Sequence, residues 1–296
     1  MTVHDGNGWT RCGRGHRHWG RHGAAGLLLA TTDDAGQAAV LLQQRSWWGS
    51  YGGSWGPPGG ARDSHESVVR AALREAIEEC AIDLRPVRVH GVLNDDHGGW
   101  TYQTVLANTA VPLAAAAVSE ETSEVAWVPV AEVERLPLHP GFAGQWPALR
   151  SALTPLTIIV DAANVVGSRP DGWWRDRAGA ARRLIEEIGE LAMSGVVSLP
   201  DSVNVPELKQ WFPRFIVVLE GAAAAAADPT PGSGDAAEQR LVRVVRAKGS
   251  GDDEIVRQAA ETSGPCLVVT ADRELRARCE AVGAAVTGPR WLLDLL

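Results

Sequence analysis

The segment Gly60–Ile82 constrains the fold of this 296-residue chain most, because its residues divide between two faces of one helix. Glu75, Glu78 and Glu79 stand at i, i+3 and i+4, offsets that share one helical face. Another face carries apolar residues at 3.6-residue spacing: Val69, Ala72, Leu73, Ala76 and Cys80. One side is therefore suited to a core, and the other concentrates carboxylates that repel one another unless a cation lies between them. Such clusters suit Mg²⁺ or Mn²⁺, which bind through a few carboxylates plus substrate phosphates.

The same stretch resembles the signature of the Nudix family. That signature is a Gly, five residues, a Glu, seven residues, and then Arg-Glu-aliphatic-x-Glu-Glu-x-Gly-aliphatic. Gly60, Glu66 and the run Arg74–Ile82 match every charged position at the right spacing, after Pro58-Gly59. Ala81 departs from the pattern, because the family has Gly just past the helix end, where a positive φ is often wanted. The alternative interpretation is an amphipathic surface helix with a solvated acidic face.

The resemblance implies an α/β/α sandwich with a mixed sheet and a hydrolase for a nucleoside diphosphate linked to a further group. It implies Mg²⁺ or Mn²⁺ as cofactor, to neutralise charge and activate a water. The implied metal ligands are the Gly60 carbonyl and Glu75, Glu78 and Glu79. Glu75 is a ligand or the base that orients the water, and Arg74 orients the glutamates through charge-assisted hydrogen bonds. Glu66 favours the helix N-terminus through the macrodipole.

Other family positions supply the candidate substrate contacts. Trp55 matches a Trp that often precedes the Pro-Gly-Gly turn, so we expect it to contact substrate. Trp47, Trp48 and Tyr51 either stack on a base or sugar, or cover the core or a domain interface. Many members draw a further ligand or base from a late loop, for which the candidates are Glu121 and Glu124. An oxidised nucleoside triphosphate, a dinucleotide polyphosphate, a nucleotide sugar and a capped RNA end all remain open as substrates.

The remaining elements of the first half follow from hydrophobic alternation and turn residues. We predict strands at Ala24–Ala30, Ala38–Gln43, Val87–Val92, Tyr102–Ala107 and Val125–Pro129, turns at 33–36 and 94–99, a loop at Ser46–Gly60, a short helix at Ala131–Leu136 and a last helix within Leu138–Arg150. The first two strands should form a hairpin or lie side by side.

The N-terminal segment is rich in histidine and arginine. Cys12, His16, His18 and His22 suggest a zinc site, but their spacing fits no standard structural zinc pattern and no second cysteine is near. The alternative is a basic, aromatic lead-in to the first strand.

Length and composition set outer bounds. The length suits two domains, predicted at residues 1–153 and 156–296. The net charge of −8 argues against a generally basic nucleic-acid binder but not against a local basic groove. The four cysteines form no CxxC pair, so we expect a reduced, cytoplasmic protein. No apolar run reaches the roughly 18 residues that span a bilayer, so we predict no membrane segment.

The second half alternates strands and helices, which predicts a parallel α/β domain. The predicted strands are Thr157–Val160, Phe215–Leu219, Leu241–Ala247, Cys266–Thr270 and Ala284–Val286, the predicted helices Arg175–Leu191, Glu254–Thr262 and Arg273–Val282, and the predicted loops 221–235 and Gly249–Asp253. Acidic residues end these strands or follow them: Asp161, Glu220, Asp252, Asp253 and Asp272. Carboxylates clustered at one edge of a parallel sheet are costly without a metal.

This half resembles the PIN-like nucleases, and most closely their NYN branch. The matching pieces are Val160-Asp161-x-x-Asn164, the pair Asp252-Asp253 before a helix, and Val269–Glu274, which reads VTADRE. The resemblance implies metal-dependent RNA cleavage. Asp161, Asp252 and Asp272 would hold Mg²⁺ or Mn²⁺, Asp253 and Glu220 would support them, and Asn164 would hold the first carboxylate or the substrate. The alternative is an ordinary Rossmann-like domain whose aspartates cap helices.

Basic residues beside the acidic cluster suit a phosphodiester ligand. Arg246 and Lys248 are the predicted contacts to single-stranded RNA, because positioning on nucleic acid comes largely from phosphate contacts. Three functions are compatible with the sequence: a bifunctional hydrolase and ribonuclease, a Nudix hydrolase with a non-catalytic RNA-binding or oligomerisation module, and a nucleotide sensor that regulates the nuclease.

Overall fold

The computed structural model describes residues 4–32, 36–170, 172–226 and 241–296. The chain divides into two compact units, Met1–Leu153 with Pro206–Lys209 and Thr154–Val205 with Gln210–Leu296. Most of the turn predicted at 33–36 and of the loop predicted at 221–235 lies outside the described residues.

The first unit contains nine strands and two α-helices in its described part. The strands are β1 (Trp9–Arg11), β2 (Arg17–Trp19), β3 (Ala24–Thr32), β4 (Ala38–Arg45), β5 (Trp55–Gly56), β6 (Gly59–Ala61), β7 (Arg88–Asp96), β8 (Thr101–Thr109) and β9 (Thr122–Pro129). The helices are α1 (Val68–Cys80) and α2 (Pro140–Ser151). A 3-10 turn at Val133–Arg135 replaces the short helix predicted at Ala131–Leu136.

A mixed sheet forms the centre of this unit. Its strands run in the order β7-β8-β3-β4-β5, while β6 pairs with β3 and β9 with β4. The β3–β8 pair is parallel, whereas β3–β4 and β7–β8 are antiparallel, which confirms the predicted hairpin of the first two core strands. Successive residues Leu27, Leu28 and Leu29 are all fully buried. Since neighbouring strand residues point to opposite faces, both faces of the sheet are covered at β3.

Helix α1 forms where the amphipathic pattern places it. Ser67 caps its N-terminus by accepting a hydrogen bond from the Arg70 N–H at 3.2 Å. The apolar face packs inward through Ala72, Ala76 and Cys80, all fully buried. Ala81 ends the helix in the left-handed conformation, with φ of 51° and ψ of 37°. Alanine therefore adopts the backbone geometry that the family signature assigns to glycine, at a cost that glycine avoids.

Three local predictions in the first unit are wrong in detail. The N-terminal lead-in is a hairpin, β1 and β2, paired from Trp9↔Trp19 to Arg11↔Arg17. The segment Ser46–Gly60 is not wholly loop, because it contains β5 and most of β6. Strand β7 continues through Asp96, paired with Thr101, so the turn predicted at 94–99 is confined to the four residues between β7 and β8. Cross-strand pairing, which sequence alone does not reveal, extends both strands.

The second unit is built on a parallel sheet. Its strands are β10 (Thr157–Asp161), β11 (Gln210–Trp211), β12 (Arg214–Leu219), β13 (Val242–Arg246), β14 (Cys266–Val269) and β15 (Ala285–Thr287). Its helices are α3 (Ala162–Gly167), α4 (Arg177–Ser194), α5 (Gly251–Glu261), α6 (Arg273–Ala281) and α7 (Pro289–Leu293). The sheet order is β13-β12-β10-β14-β15, and every pair in it is parallel.

The strand order reverses direction beside β10, because β12 follows on one side and β14 on the other. In open α/β sheets ligands bind outside the carboxyl ends of the strands at such a switch point. Separate apolar clusters cover the two faces of the sheet, one around Ile158 and Leu184 and the other around Ile159 and Ile255. The predicted parallel sheet is observed, while membership of the PIN-like class stays a prediction.

The acidic pair of the second unit lies elsewhere than predicted. Asp252 and Asp253 are in the first turn of α5, not in the loop before it. Ser250 is the N-cap, and its hydroxyl accepts from the Asp253 N–H. Negative side chains are stabilised in the first turn by the helix dipole, so the pair extends the helix toward its N-terminus. No sequence pattern predicts helix α3, since its six residues are too few for a period to show.

Two further findings bear on the bounds set by composition. Within the described ranges, no helix has the length and apolar character needed to cross a membrane. All four cysteines are free thiols, and all four are buried.

Candidate functional site

Arg74 organises the charged face of α1. Its guanidinium donates to Glu66 Oε1 at 2.8 Å, to Glu75 Oε1 at 2.8 Å and to Glu78 Oε2 at 2.9 Å. A further N–H donates to the Ala61 carbonyl at 3.0 Å. These carboxylates raise the pKa of Arg74, with Glu66 the largest contributor. This geometry is consistent with the predicted orienting role of Arg74. Glu66, in the turn before the helix, also contacts the guanidinium through its carboxylate.

Glu79 is held from outside its own helix. The Gly59 N–H and the Gln43 amide both donate to Glu79 Oε2, each at 2.8 Å. The side chain is buried, with 7% of the residue exposed. Burial, followed by the negative charge of Glu75, raises the pKa of Glu79 to about 7. Both hydrogen bonds end on Oε2, so Oε1 is the oxygen that these contacts leave for a cation.

Gln43 on β4 links the end of α1 to β9, and it is absent from the site residues that the sequence predicts. Its amide oxygen accepts from the Thr122 hydroxyl at 2.7 Å and from the Cys80 thiol at 3.7 Å. The residue is buried on β4, where a polar partner is the usual reason for an amide in an apolar strand. The signal in the sequence is the change from VLL to QQ within Ala38–Arg45. That signal does not distinguish Gln43 from Gln44.

Glycines at the turn before α1 permit a close approach. An ideal Cβ on Gly60 would lie 2.6 Å from Glu75 Oε1, and one on Gly59 would lie 2.6 Å from the Ala25 carbonyl oxygen. Any side chain at either position would displace the glutamate or the neighbouring strand. The predicted ligands Gly60 and Glu75 are therefore adjacent, and the glycine preserves the space between them.

The donor set of α1 fits a hard divalent cation. Burial raises the pKa of Glu75 as it does that of Glu79, and Glu121 adds negative charge near both. Glu121 is thus a late-loop glutamate with an electrostatic link to the site, while the role of Glu124 stays a prediction. In the described part of the chain, the α1 glutamates do not belong to either group of side chains whose ligand atoms all lie within 4.8 Å of one another. Arg74 Nη1 donates to both Glu75 and Glu78, whereas the contacts of Glu79 come from Gln43 and Gly59.

The aromatic residues of the 46–60 segment separate into two kinds. Trp55 is 7% exposed, and its backbone bonds to Pro137 and His139. Trp55 therefore packs within the first unit, and its predicted substrate contact stays a prediction. Trp47 and Trp48 are 77% and 71% exposed, so they do not cover the core of the first unit. These two remain the aromatic candidates for stacking.

A second site is centred on Asp161 at the carboxyl end of β10. Asp161 is buried, and its carboxylate accepts from the Asn164 N–H at 3.0 Å and from the Thr270 hydroxyl at 2.8 Å. The Asn164 side-chain oxygen accepts from the Ala271 N–H at 2.9 Å. Thr270 in turn accepts from the Asp272 N–H at 3.2 Å. The ends of β10 and β14 are thus joined at the switch point of the sheet.

Negative charge accumulates around this second site. Burial raises the pKa of Asp161, with Asp252 and Glu220 contributing, although two hydrogen bonds act in the opposite direction. Burial raises the pKa of Asp252 too, and Asp272 and Glu220 contribute to it. Glu220 accepts from the Gly251 N–H at 2.9 Å, which holds its carboxylate beside the start of α5. Burial and like charges make the ionised form of these carboxylates costly, and a bound cation would offset that cost.

Two aspartates of this second site cap helices, as the alternative interpretation of a Rossmann-like domain predicts. Asp161 and Asp272 both accept hydrogen bonds from the N-terminal turns of the helices that follow them, α3 and α6. Asp253 is exposed and forms an ion pair with Arg278, and its supporting role at the metal stays a prediction. Sequence proximity alone places Asp253 in the cluster, and the helical turn separates it from Asp252.

The two predicted RNA contacts differ in their surroundings. The Arg246 guanidinium donates to the carbonyls of Ala224 at 3.0 Å and Ala226 at 2.7 Å. Arg246 therefore holds the turn after β12, and its predicted phosphate contact stays a prediction. Lys248 is exposed just after β13, and its contact to RNA stays a prediction.

Comparison with known proteins establishes the family. A family model described as the NUDIX domain matches residues 20–150. Two strains of Mycobacterium tuberculosis have a protein described as "Putative 8-oxo-dGTP diphosphatase 3", 45% identical over 160 residues that cover 52% of this chain and 72% of that protein. A "Nucleoside triphosphate pyrophosphatase/Nudix hydrolase fusion protein" of Bifidobacterium longum is 39% identical over 163 residues, covering 52% of this chain and 33% of that protein. The chain belongs to the Nudix family and is a Nudix pyrophosphohydrolase of nucleoside diphosphate derivatives.

Solved structures give further matches. RenU, a Nudix hydrolase from M. smegmatis, is 46% identical and covers 49% of this chain and 93% of its own, with a TM-score of 0.46. The Nudix domain of Shewanella oneidensis NrtR, complexed with ADP ribose, is 27% identical and covers 46% of this chain and 91% of its own, with a TM-score of 0.37. The family model ends at residue 150, so the class of the second unit stays a prediction.

Proposed function

We propose that the first unit hydrolyses the pyrophosphate linkage of oxidised nucleoside triphosphates, with 8-oxo-dGTP as the model substrate. The observation that carries this proposal is the arrangement of the α1 carboxylates, with Glu79 fixed from two strands and Glu75 and Glu78 fixed by Arg74. The choice of substrate rests on the 45% identity to the Mycobacterium tuberculosis protein.

The residues of α1 divide the work of binding and orientation. Glu75, Glu78, Glu79 and the Gly60 carbonyl would hold Mg²⁺ or Mn²⁺, which supplies charge neutralisation and an activated water when bound. Arg74 keeps the carboxylates in one arrangement through charge-assisted hydrogen bonds. Gln43 and the Gly59 N–H both donate hydrogen bonds to Glu79 Oε2, so that Oε1 is the oxygen available to bind the cation. Exposed Trp47 and Trp48 offer flat apolar surface for the base.

A panel of nucleotides tests the substrate. The full chain with Mg²⁺ is incubated with 8-oxo-dGTP, dGTP, ADP-ribose and a dinucleotide polyphosphate, and the products are separated by chromatography. We expect 8-oxo-dGTP to give the highest kcat/KM, with a monophosphate and pyrophosphate, or a diphosphate and phosphate, as products. Trp47→Ala should raise KM more than it lowers kcat. A preference for ADP-ribose or the dinucleotide would overturn the assigned substrate and leave the class of reaction intact.

We further propose that the second unit cleaves single-stranded RNA with a divalent cation. The supporting observation is the raised pKa of both Asp161 and Asp252 at the switch point of a parallel sheet. Asp161, Asp252 and Asp272 would hold Mg²⁺ or Mn²⁺, and Glu220 supports the start of α5. Asn164 orients the loop after β14, and exposed Lys248 would contact a phosphate.

Labelled RNA tests this second activity. Wild-type chain, Asp161→Asn and the matched exposed variant Asp201→Asn are incubated with a labelled single-stranded RNA and Mn²⁺. We expect cleavage by the wild type and by Asp201→Asn, and a loss of about 10²-fold or more in Asp161→Asn. Cleavage equal in all three would show a contaminating nuclease. RNA binding without cleavage by the wild type would favour the non-catalytic module instead.

A further inference from the structure

Four potential metal ligands converge where the N-terminal hairpin meets the turn between β7 and β8. Cys12, His16, His18 and His97 each offer one ligand atom, and these atoms all lie within 4.8 Å of one another. Cys12 is buried, His18 and His97 are half-buried and His16 is exposed, so three of the four ligands are shielded from solvent at least in part. We propose that Cys12, His16, His18 and His97 form a structural Zn²⁺ site.

Two histidine nitrogens in this cluster need a partner. In the part of the chain that the structure describes, His18 Nε2 and His97 Nδ1 are buried without a hydrogen bond. Buried polar atoms in native proteins are almost always paired, and an orphan calls for an explanation such as a bound ion. Both atoms belong to residues of the same cluster, and one Zn²⁺ would satisfy both. This observation is independent of the ligand spacing.

Asp95 supplies the contact that metal-ligating histidines usually make through their other nitrogen. Its Oδ2 lies 3.2 Å from His97 Nε2. That contact places the N–H of His97 on Nε2, so Nδ1 carries the lone pair. A carboxylate behind a ligating histidine fixes the tautomer and raises the basicity of the ligand. The orphan nitrogen of His97 is therefore the one that is prepared for a metal.

The backbone brings the ligands together without a metal. The Cys12 N–H donates to the His16 carbonyl at 3.0 Å, which closes the turn of the β1–β2 hairpin. Arg14 donates to the Asp96 carbonyl at 2.7 Å and ties this hairpin to the end of β7. His18 stacks on Trp100, with ring centroids 3.9 Å apart. Contacts from two segments distant in sequence thus hold the ligands in place, as outer contacts do around metal sites.

The ligand chemistry selects zinc over the cation of the α1 site. A thiolate with three imidazoles suits Zn²⁺, whereas Mg²⁺ takes oxygen ligands. Tetrahedral Zn²⁺, with bonds of about 2.0–2.3 Å, requires the ligand atoms to be roughly 3.5 Å apart, so binding would draw them slightly closer. Four protein ligands fill the tetrahedron, which makes the site structural. The Cys12 thiol would release its proton to solvent on binding.

Neighbouring groups help to delimit the site. His22, which the sequence suggests as a ligand, lies 3.6 Å from Asp5 and outside the cluster. A second group, Asp5, Asp63 and His65, also has closely spaced ligand atoms. Its carboxylates already accept hydrogen bonds from the Gly6 N–H and from Ser64. These contacts satisfy the carboxylates without a cation. The remaining alternative for the Cys12 cluster is ring stacking without a metal.

Cobalt substitution tests the site directly. The full chain is stripped with a chelator, saturated with Mg²⁺ to occupy the α1 carboxylates, and titrated with Co²⁺. We expect one equivalent of Co²⁺ to give the thiolate-to-cobalt charge-transfer absorption and intense tetrahedral ligand-field bands. Cys12→Ser should lose the charge-transfer absorption, and His97→Ala should lose stoichiometric binding. His22→Ala, a histidine of the same segment outside the cluster, should behave as the wild type.

A fourth variant separates metal binding from folding. Asp95→Asn keeps the size of the side chain and removes the charge behind His97, so Zn²⁺ affinity measured by chelator competition should fall about 10–100-fold. The unfolding temperature of the Zn²⁺-free chain should barely change in this variant. The proposal is overturned by a folded wild type that takes up no Co²⁺ under these conditions, or by Co²⁺ uptake that shows no charge-transfer absorption and is unaffected by Cys12→Ser.

Discussion

Glu79 connects the chemistry of the first unit to its sheet. The carboxylate belongs to α1, but its two hydrogen bonds come from Gln43 on β4 and from the Gly59 backbone at the start of β6. A buried acid with a pKa of about 7 is costly to keep ionised, and a cation offsets that cost. The position of Glu79 therefore depends on residues that the signature of α1 does not include.

Replacing Gln43 tests this dependence. Gln43→Leu removes the amide donor to Glu79 and one hydrogen-bond acceptor of the Thr122 hydroxyl. We expect kcat for nucleotide hydrolysis to fall about 10–100-fold, and the Mg²⁺ concentration for half-maximal rate to rise, as for outer partners of metal ligands. Gln44→Leu is the control, because the Gln44 amide donates to the Gly53 carbonyl instead. Equal rates for the two variants would contradict a positioning role.

The left-handed residue at the end of α1 gives a stability prediction. Ala81 has φ of 51°, a region in which a Cβ costs roughly 1–2 kcal/mol. Ala81→Gly should therefore raise the free energy of unfolding of the first unit by about 1 kcal/mol, measured by denaturant titration. Ala81→Ser keeps the Cβ and should show no such gain. A lower free energy of unfolding in Ala81→Gly would contradict this prediction. It would indicate that packing of the Ala81 methyl group offsets the strain of the left-handed backbone.

At the residue scale, the sequence predicts well the site residues that share one helix. It predicts poorly the residues, distant in sequence, that contact them. Arg74, Glu75, Glu78 and Glu79 share one face because helical geometry is local. Gln43 and His97 join their sites through contacts between segments far apart in sequence, which no local pattern encodes. Trp55 occupies a position associated with function, yet it is buried, because burial depends on the whole unit.

At the scale of elements, helix α2 contains a pH-sensitive cap. His139 precedes the helix, and its Nδ1 accepts from the Gly141 N–H at 3.2 Å. Burial, followed by the positive charge of Arg45, lowers the pKa of His139. The Tyr51 ring packs edge-on against it, with centroids 4.8 Å apart. Protonation would remove the acceptor and add a positive charge at a helix N-terminus, where it is unfavourable.

The pH dependence of stability follows from that shift. The folded pKa lies below the unfolded value of about 6.5, so the unfolded chain binds more protons in that window. The stabilisation from neutral His139 is present above about pH 6.5 and is lost as pH falls toward the folded pKa. His139→Asn keeps a capping acceptor and does not titrate. We expect the unfolding temperature to fall less between pH 7 and pH 5 in this variant than in the wild type; equal falls would contradict the prediction.

Elements are easier to predict where local signals and pairing agree. The main strands of both units and helices α1, α4 and α6 lie within a few residues of their predicted positions, because apolar periodicity coincides with burial. Asp252 and Asp253 belong to a helix rather than the predicted loop, since the cap at Ser250 starts α5 earlier than its apolar pattern does. The β1–β2 hairpin escapes prediction because its three-residue strands are too short for alternation to show.

At the scale of the whole molecule, different ligand sets call for different metals. The α1 carboxylates suit Mg²⁺ or Mn²⁺, and the Cys12 cluster suits Zn²⁺. Chelation should therefore abolish nucleotide hydrolysis and lower the unfolding temperature of the first unit. Returning Mg²⁺ alone should restore hydrolysis but only part of the unfolding temperature, and full recovery of the unfolding temperature should require Zn²⁺. Full recovery of both by Mg²⁺ alone would contradict the separation of the two sites.

The central claim is that the α1 carboxylates perform the hydrolysis, and its most direct test is the kcat of Glu79→Gln on 8-oxo-dGTP with saturating Mg²⁺. The variant keeps the size of the side chain and removes the charge that would hold the cation. Glu134→Gln, at an exposed glutamate of the same unit, is the matched control. We predict a fall of at least about 10²-fold for Glu79→Gln and no change for Glu134→Gln. Hydrolysis that persists at the wild-type rate in Glu79→Gln would contradict the claim.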